Sequence, residues 1–202
     1  MTSSLKFIAK IFLYIYFFCF SANETISKGL SIFETISNKE ELSEFTKYLK
    51  ISGVDKILNK KLPWNWTVFA PNNDAFKALE KKNNSILSDE FFLKNIILDH
   101  ILATSKSSND LTNTAITEQT VSNKPIQLFK SDDIHVKDMI VITEDISANN
   151  GIIHSIGCVM YVQPSFEDSR LSLEQQKKFP ITSCCMRSDK EINEWKLSIE
   201  AR

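Results

Sequence analysis

The stretch Thr67-Val68-Phe69-Ala70-Pro71-Asn72-Asn73-Asp74-Ala75-Phe76 changes character halfway along. Trp66 to Phe69 is short, aromatic and β-branched, which predicts a strand. Pro71 has no amide hydrogen to give to a ladder, so the strand stops there. Asn72 and Asn73 follow, and an Asn side chain accepts hydrogen bonds from the free amides of a helix start. Phe76 and Leu79 then lie on one helical stripe. One short run thus predicts a strand, a stop, a cap and a helix.

A second stretch, Asp145-Ile146-Ser147-Ala148-Asn149-Asn150-Gly151-Ile152-Ile153-His154-Ser155-Ile156, is as dense in signals. Asn150-Gly151 predicts a turn, with Gly151 free to take a positive φ. A long β-rich run, Ile152 to Val162, follows and ends at Pro164.

Before the first stretch, the sequence reads as helix. Ile32, Phe33 and Ile36, then Leu42, Phe45 and Leu49, recur at three- and four-residue steps. Gly53 suits a stop before a short helix over Val54 to Leu58. Asp89 or Ser88 caps a further helix carrying Phe92, Ile96 and Ile97. Beyond the polar loop Thr104 to Asn113 the period shortens. Gln119 to Val121, Ile126 to Phe129, Ile134 to Val136 and Met139 to Ile142 predict strands separated by polar turns. Helices first, then a strand meander, with one early strand among the helices, is an α+β plan.

Composition narrows function mainly by exclusion. The chain has 202 residues, 43% apolar and 24% charged, with 24 basic against 25 acidic side chains. That length suits one globular domain, and the charge balance gives no general attraction to nucleic acid. The four glycines fit neither a dinucleotide fingerprint nor a phosphate-binding loop. The start of the chain is different. Lys6 and Lys10 precede the apolar run Ile11 to Phe20, no acid occurs before Glu24, and small residues surround Ser21. This is the layout of a signal peptide over residues 1–21, cleaved after Ser21 or Ala22. Extended back through Leu5, the same segment would be an uncleaved signal anchor. The expected site of the protein is therefore extracellular or in the secretory lumen, with only indirect membrane contact after cleavage.

The two quoted stretches resemble the two signatures of the fasciclin-like domain family. The first is similar to T-x-F-A-P followed by a polar cap and a helix opening with A-F. The second is similar to D-I-x-A-x-N-G-x-I-H before the last strand. Between them Ile97-Leu98-Asp99-His100-Ile101-Leu102 resembles the family's central Tyr-His segment, and Ser31-Ile32-Phe33-Glu34-Thr35-Ile36 resembles its opening helix. The resemblance covers residues 30–164. It implies a β-wedge or sandwich flanked by a small helical group. It also implies non-catalytic adhesion through an extracellular or cell-surface protein or glycan. The family signature residues are Thr67, Phe69, Pro71, Asn72, Phe76, Asp99, His100, Asn150, Gly151 and His154, read here as mainly structural. Two departures stand out. Asp99 replaces the Tyr of the central pair, so the integrin-binding mode linked to Tyr-His in some animal members matches only at His100. Gly157 replaces the usual Asp after the final H-x-I.

Chemistry-bearing residues are sparse. His154 shares alternate positions with Ile152, Ile156, Met160 and Val162, as expected of a hydrogen-bonded core histidine. Cys158 has the same parity, but a regular strand would hold it roughly 13 Å from His154, too far for a dyad. His135 lies beside Asp132 and Asp133 without metal-ligand spacing, and no nucleophile elbow occurs. No enzyme activity, metal or cofactor is expected.

The remaining features concern the tail and covalent modification. Residues 165–202 form a polar tail in which Ser188 and Glu191 have capping-box spacing before the stripe Ile192, Trp195 and Ile199. Such a helix either covers the domain's own core or binds a partner. After signal cleavage Cys158, Cys184 and Cys185 remain, an odd number, and a bridge from Cys158 to either tail cysteine would tie the tail to the last strand. Asn23, Asn65 and Asn83 head Asn-x-Ser/Thr sequons and are candidate glycosylation sites, with Asn83, in a polar helix-to-loop stretch, expected to be the best placed and Asn65, against the first strand, expected to be shielded. Besides adhesion, a pocket between sheet and helices could carry a small lipid-like ligand.

Overall fold

The computed structural model describes residues 29–83, 85–136, 139–163, 181–184 and 189–200, together with 172 and 174. The expected signal peptide, Asn23 and Cys185 lie outside the described residues. The first helix, α1 (Ile32–Ser37), opens on a reciprocal cap. Ser31 Oγ accepts from the Glu34 amide at 3.1 Å, and the Glu34 carboxylate accepts from the Ser31 amide at 2.7 Å. After a 3-10 turn (Glu40–Leu42) come α2 (Ser43–Ile51) and α3 (Asp55–Leu58). Gly53, at φ 70°, takes the left-handed conformation that ends α2.

The early strand is β1 (Trp66–Pro71), buried along its whole length. It is followed by α4 (Asn73–Asn83), α5 (Ser85–Ser88) and α6 (Glu90–Asp99). Asp89 caps α6 by accepting from the Phe91 and Phe92 amides. Then come β2 (Ile101–Leu102), β3 (Ile116–Gln119), β4 (Pro125–Lys130), β5 (Ile134–Val136), β6 (Met139–Ala148) and β7 (Gly151–Ile156). The described chain closes with β8 (Met160–Gln163), β9 (Ile181–Cys184) and α7 (Asp189–Glu200).

Seven strands form one sheet in the order β2-β1-β7-β6-β5-β4-β3. Every pairing is antiparallel except β1 with β7. The two ends of the sheet also meet. Leu102 bridges Thr120, and the Val121 amide donates to the Ile101 carbonyl at 2.8 Å. The sheet therefore curls into a wedge with little free edge. Its interior is a core of Phe69, Leu128, Val136, Ile156, Met160 and their neighbours. A second core lies between sheet and helices, where Ile32, Phe45, Phe76, Ile96, Ile153 and Tyr161 pack together. The architecture is α+β, a sheet wedge flanked by helices.

Three local expectations change. The run Ile152 to Val162 is two strands, not one. β7 ends at Ile156, and β8 leaves the large sheet to pair with β9. The break falls at Gly157, where a Cβ would stand 3.1 Å from Ile142 Cδ1. His154 and Cys158 therefore do not share one strand. β3 lies earlier than Gln119 to Val121, because Gln119 pairs with Pro125 and the turn between them takes up Val121. β6 runs past Ile142 to Ala148, absorbing a register shift between Thr143 and Ile146 where Asp145 stands at φ 57°. The tail helix α7 buries Ile192, Trp195 and Ile199 in the same core as α1 to α6. Of the two roles open to it, this structure has it covering its own domain.

Candidate functional site

The parallel β1–β7 pair sets the two quoted stretches side by side, with Trp66 opposite Gly151 and Phe69 opposite His154. α6 delivers Asp99 and His100 to the same place, and the Phe69 amide donates to the His100 carbonyl at 2.9 Å. Ten residues expected to carry the family signature thus cluster around one strand. What they do there is mostly internal.

Thr67 is fully buried. Its hydroxyl donates to the Thr104 carbonyl at 2.6 Å and accepts from the Lys106 amide at 2.8 Å, tethering the loop after β2. Phe69 stacks on the His154 ring with centroids 5.6 Å apart. Pro71 ends β1 opposite Ile156, and the next amide, of Asn72, donates back to the Ile156 carbonyl. Asn72 Oδ1 accepts from the Ala75 amide at 2.9 Å at the head of α4. Phe76 packs between Phe45 and Tyr48.

Asn150 is 1% exposed and uses its whole amide group. Oδ1 accepts from the Ile32 amide at 2.8 Å, while Nδ2 donates to the Leu58 and Lys60 carbonyls at 2.8 and 2.9 Å. One side chain therefore joins the start of α1, the end of α3 and the β6–β7 turn. Gly151 follows at φ 159°, essentially extended. The need for glycine is steric. A Cβ there would overlap the Trp66 carbonyl oxygen and stand 2.7 Å from Ile32 Cδ1 and 2.8 Å from the Trp66 nitrogen. The expected positive φ is not the deciding factor.

Both signature histidines are committed to the backbone. His100, fully buried, has Nδ1 2.8 Å from the Ile96 carbonyl and takes the Met160 amide on Nε2 at 2.8 Å. Those partners require Nδ1–H and a bare Nε2, a neutral ring. Burial pushes its pKa down to about 4, against the smaller opposing pull of the Ile96 carbonyl. His154 shows the mirrored arrangement. Nδ1 accepts from the Asp145 amide at 3.3 Å and Nε2 faces the Lys106 carbonyl at 2.8 Å. Burial lowers its pKa as well. Neither ring is free to shuttle a proton for a substrate.

Asp99 is the centre of a buried polar knot. Oδ2 accepts from Lys124 Nζ at 2.7 Å and from the Val162 amide at 3.0 Å, and Oδ1 accepts from the Ser122 hydroxyl. The side chains of Asp99 and Lys124 are 0% and 3% exposed. Burial pushes the Asp99 carboxyl above the ordinary carboxylate range, with Lys124 and the two other donors pulling the other way. The Lys124 ammonium also stands 5.8 Å from the centre of the Trp195 ring. In the sequence Asp99 stands in the family's central segment, whereas Lys124 lies in a polar stretch between two strands. Only the fold brings them together.

Other named residues stand apart. Cys158 is buried and disulfide-bonded. The β8–β9 register sets Met160 across from Cys184. His135 stacks flat on Phe129, centroids 4.6 Å apart. Among the described residues no group of three metal-ligating side chains exists. No described helix is long and apolar enough to cross a membrane. Asn65 is exposed just before β1, whereas Asn83 accepts a 2.6 Å hydrogen bond from Ser85. At the outer end of β1 an open cleft of about 370 Å³ is lined by Glu40, Glu41, Asn72, Asn73, Asp74 and Lys77.

Comparison with known proteins agrees with this architecture. Human periostin is 29% identical over 136 residues, which is 65% of this chain and 16% of periostin. An uncharacterised protein of Synechocystis sp. is 34% identical over 99 residues, 48% of this chain and 74% of that protein. Among solved structures, a domain pair from the insect cell adhesion molecule fasciclin I superposes with a TM-score of 0.54 at 19% identity, over 63% of this chain and 49% of that one. The chain thus spans a small part of periostin and about half of the fasciclin I pair. Both signature histidines are bonded to the backbone, and the signature residues are spent on holding strands and helices together. Residues 40–162, more than half of the chain, match the Fasciclin domain, and the chain belongs to that family.

Proposed function

We propose that this protein is a secreted, single-domain fasciclin-like protein. It acts in adhesion or extracellular interaction by contact with a surface protein or glycan. One observation carries the reading. The signature residues are satisfied within the domain, down to each polar atom of Asn150 and both rings of His100 and His154. What is left for a partner is then the outer surface, and the fasciclin I pair of similar fold comes from a cell adhesion molecule. The signal segment 1–21 supports delivery outside the cell. A bridge from Cys158 to Cys184 or Cys185 would suit an oxidising compartment and would fasten the tail.

The test uses the full chain, expressed with its own leader and tagged at its C-terminus. Culture medium and cells are assayed for the protein, and the secreted product is crosslinked to the surface of its own host's cells. The expected result is secretion of a product starting near residue 22 and capture of a discrete surface protein or glycan. A doubly charge-reversed cleft, Asp74→Lys with Lys77→Glu, should alter capture while the domain stays folded, with only a small fall in melting temperature from the lost acid in the first turn of α4. Retention in the cytosol, or a secreted fold that binds no cell or matrix, would overturn the proposal.

A further inference from the structure

We propose that Asn65 carries an N-linked oligosaccharide whose first sugar lies against the Trp64 indole, an inference that rests on the secretory reading above. Asn65-Trp66-Thr67 is a sequon. Its acceptor is well presented. Asn65 is exposed, in the short segment between Pro63 and the start of β1. Asn83 is half-buried, and its carbonyl oxygen is already engaged by Ser85 within the last turn of α4 and the start of α5. The residue before the acceptor is the second observation. Trp64 is 46% exposed, although Trp66 beside it is 5% exposed and Trp195 is 0% exposed. Trp64 meets Trp66 edge-on, with centroids 5.8 Å apart, which leaves much of its own surface to water. An indole is a broad apolar plate, and leaving half of it in water is unfavourable. The C–H face of a pyranose ring joined to the adjacent side chain would cover it.

The reaction needs no chemistry from this protein. In the secretory lumen a polyprenyl-pyrophosphate-linked oligosaccharide is the donor, presented by the host's transferase. Asn65 Nδ2 forms a bond to C1 of the first sugar while the C1–O bond to pyrophosphate breaks. The polyprenyl pyrophosphate leaves, and the amide gives up one proton. The position has a consequence for the surface. β1 runs from Trp66 at the glycan end to Pro71 beside the cleft, a rise of roughly 17 Å at about 3.3 Å per residue. A glycan at Asn65 would cover the start of β1 and leave the Asn72–Lys77 cleft open to a partner.

The experiment uses the full chain in a glycosylating secretory host, once with its own leader and once with a strong added leader. The two arms separate failure of secretion from failure of the site. Intact mass is measured before and after treatment with an amidase that removes N-glycans, for the wild type and for Asn65→Gln and Asn83→Gln. Thr67 is left alone because the fold uses its hydroxyl. The expected result is loss of one glycan mass in Asn65→Gln only. Trp64 is the exposed tryptophan of three, so acrylamide quenching of tryptophan fluorescence reads it. Quenching should rise when the glycan is removed, and this rise should vanish in Trp64→Ala. An unmodified Asn65 in secreted protein from the added-leader arm overturns the site. A glycan whose removal leaves quenching unchanged overturns the contact with Trp64. Secretion from the added leader alone overturns the secretory reading on which both rest.

Discussion

Acidification should destabilise this domain through His100, and the size of the effect follows from its surroundings. The ring is neutral, fully buried, and uses a bare Nε2 to hold the Met160 amide. Its pKa falls from 6.5 to about 4 on folding. Above pH 6.5 neither the folded nor the unfolded chain binds a proton there, so the full stability is present. Between 6.5 and 4 only the unfolded chain takes the proton, and stability falls by about 1.4 kcal/mol per pH unit, roughly 3 kcal/mol in all. Below 4 the folded ring protonates too, and this residue contributes no further loss. That sum is a large part of the usual 5–15 kcal/mol of a domain, roughly a fifth or more. His154 acts in the same direction. Asp99 acts in the opposite one, because a carboxyl raised by folding takes its proton first in the folded state. The measurement is a set of urea unfolding curves from pH 7.5 to 4.5 on the wild type and His100→Gln. The variant should be less stable at pH 7.5, since glutamine cannot reproduce the imidazole's simultaneous bonds to the Met160 amide and the Ile96 carbonyl. Its stability should then fall less steeply with acid, by about 1.4 kcal/mol per unit over most of the range. Parallel losses in the two proteins, with equal m-values, would refute the argument that the neutral His100 ring is a condition of folding.

Further consequences follow from the same contacts. Gly151→Ala drives a methyl group into the Trp66 carbonyl and should lower stability by about 3 kcal/mol or more, read as a drop in melting temperature or loss of soluble protein. Trp195→Ala should cost about 3–5 kcal/mol by thermal or urea unfolding, because it empties a fully buried site in the common core. An effect below about 1 kcal/mol would mean that α7 is not docked in solution. Lys124→Met leaves the Asp99 carboxylate buried without its cation and should cost about 3–5 kcal/mol, whereas adding Asp99→Leu should recover much of that loss in the same unfolding assay.

Where the sequence could be read, a feature was decided by its immediate neighbours. Pro71 stops β1, Asn72 caps the following helix, and Asp89 caps α6, because each acts on amides within a few residues. The order of helices and strands was legible for the same reason. The corrections arise where a distant partner decides. Nothing near Gly157 says that β8 will leave the large sheet, because the competing attachment is the Met160 amide on His100, sixty residues earlier. Lys124 looks like a turn lysine, and its burial follows only from Asp99. Gly151 could be singled out as required, but the reason, a backbone crossing from Trp66, needs the parallel β1–β7 pairing to be known.

The Asp99-His100 pair shows what the signatures can and cannot say about binding. Both residues are fully buried. For a partner to touch Asp99, it would have to displace Lys124, Ser122 and the Val162 amide from one carboxylate. For it to touch His100, the Met160 amide would have to let go. Each broken contact leaves a polar group buried and unsatisfied, at about 1–3 kcal/mol apiece and more for the charged ones. Those costs exceed what one small contact returns, so this pair does not serve as a docking point while the domain is folded. The substitution of Asp99 for the family's tyrosine then has an internal meaning. It places a carboxylate where the β3–β4 turn, β8 and the tail helix come together, and Lys124 under Trp195 completes the join. Partner choice must therefore be written elsewhere, in exposed positions that the signatures do not constrain.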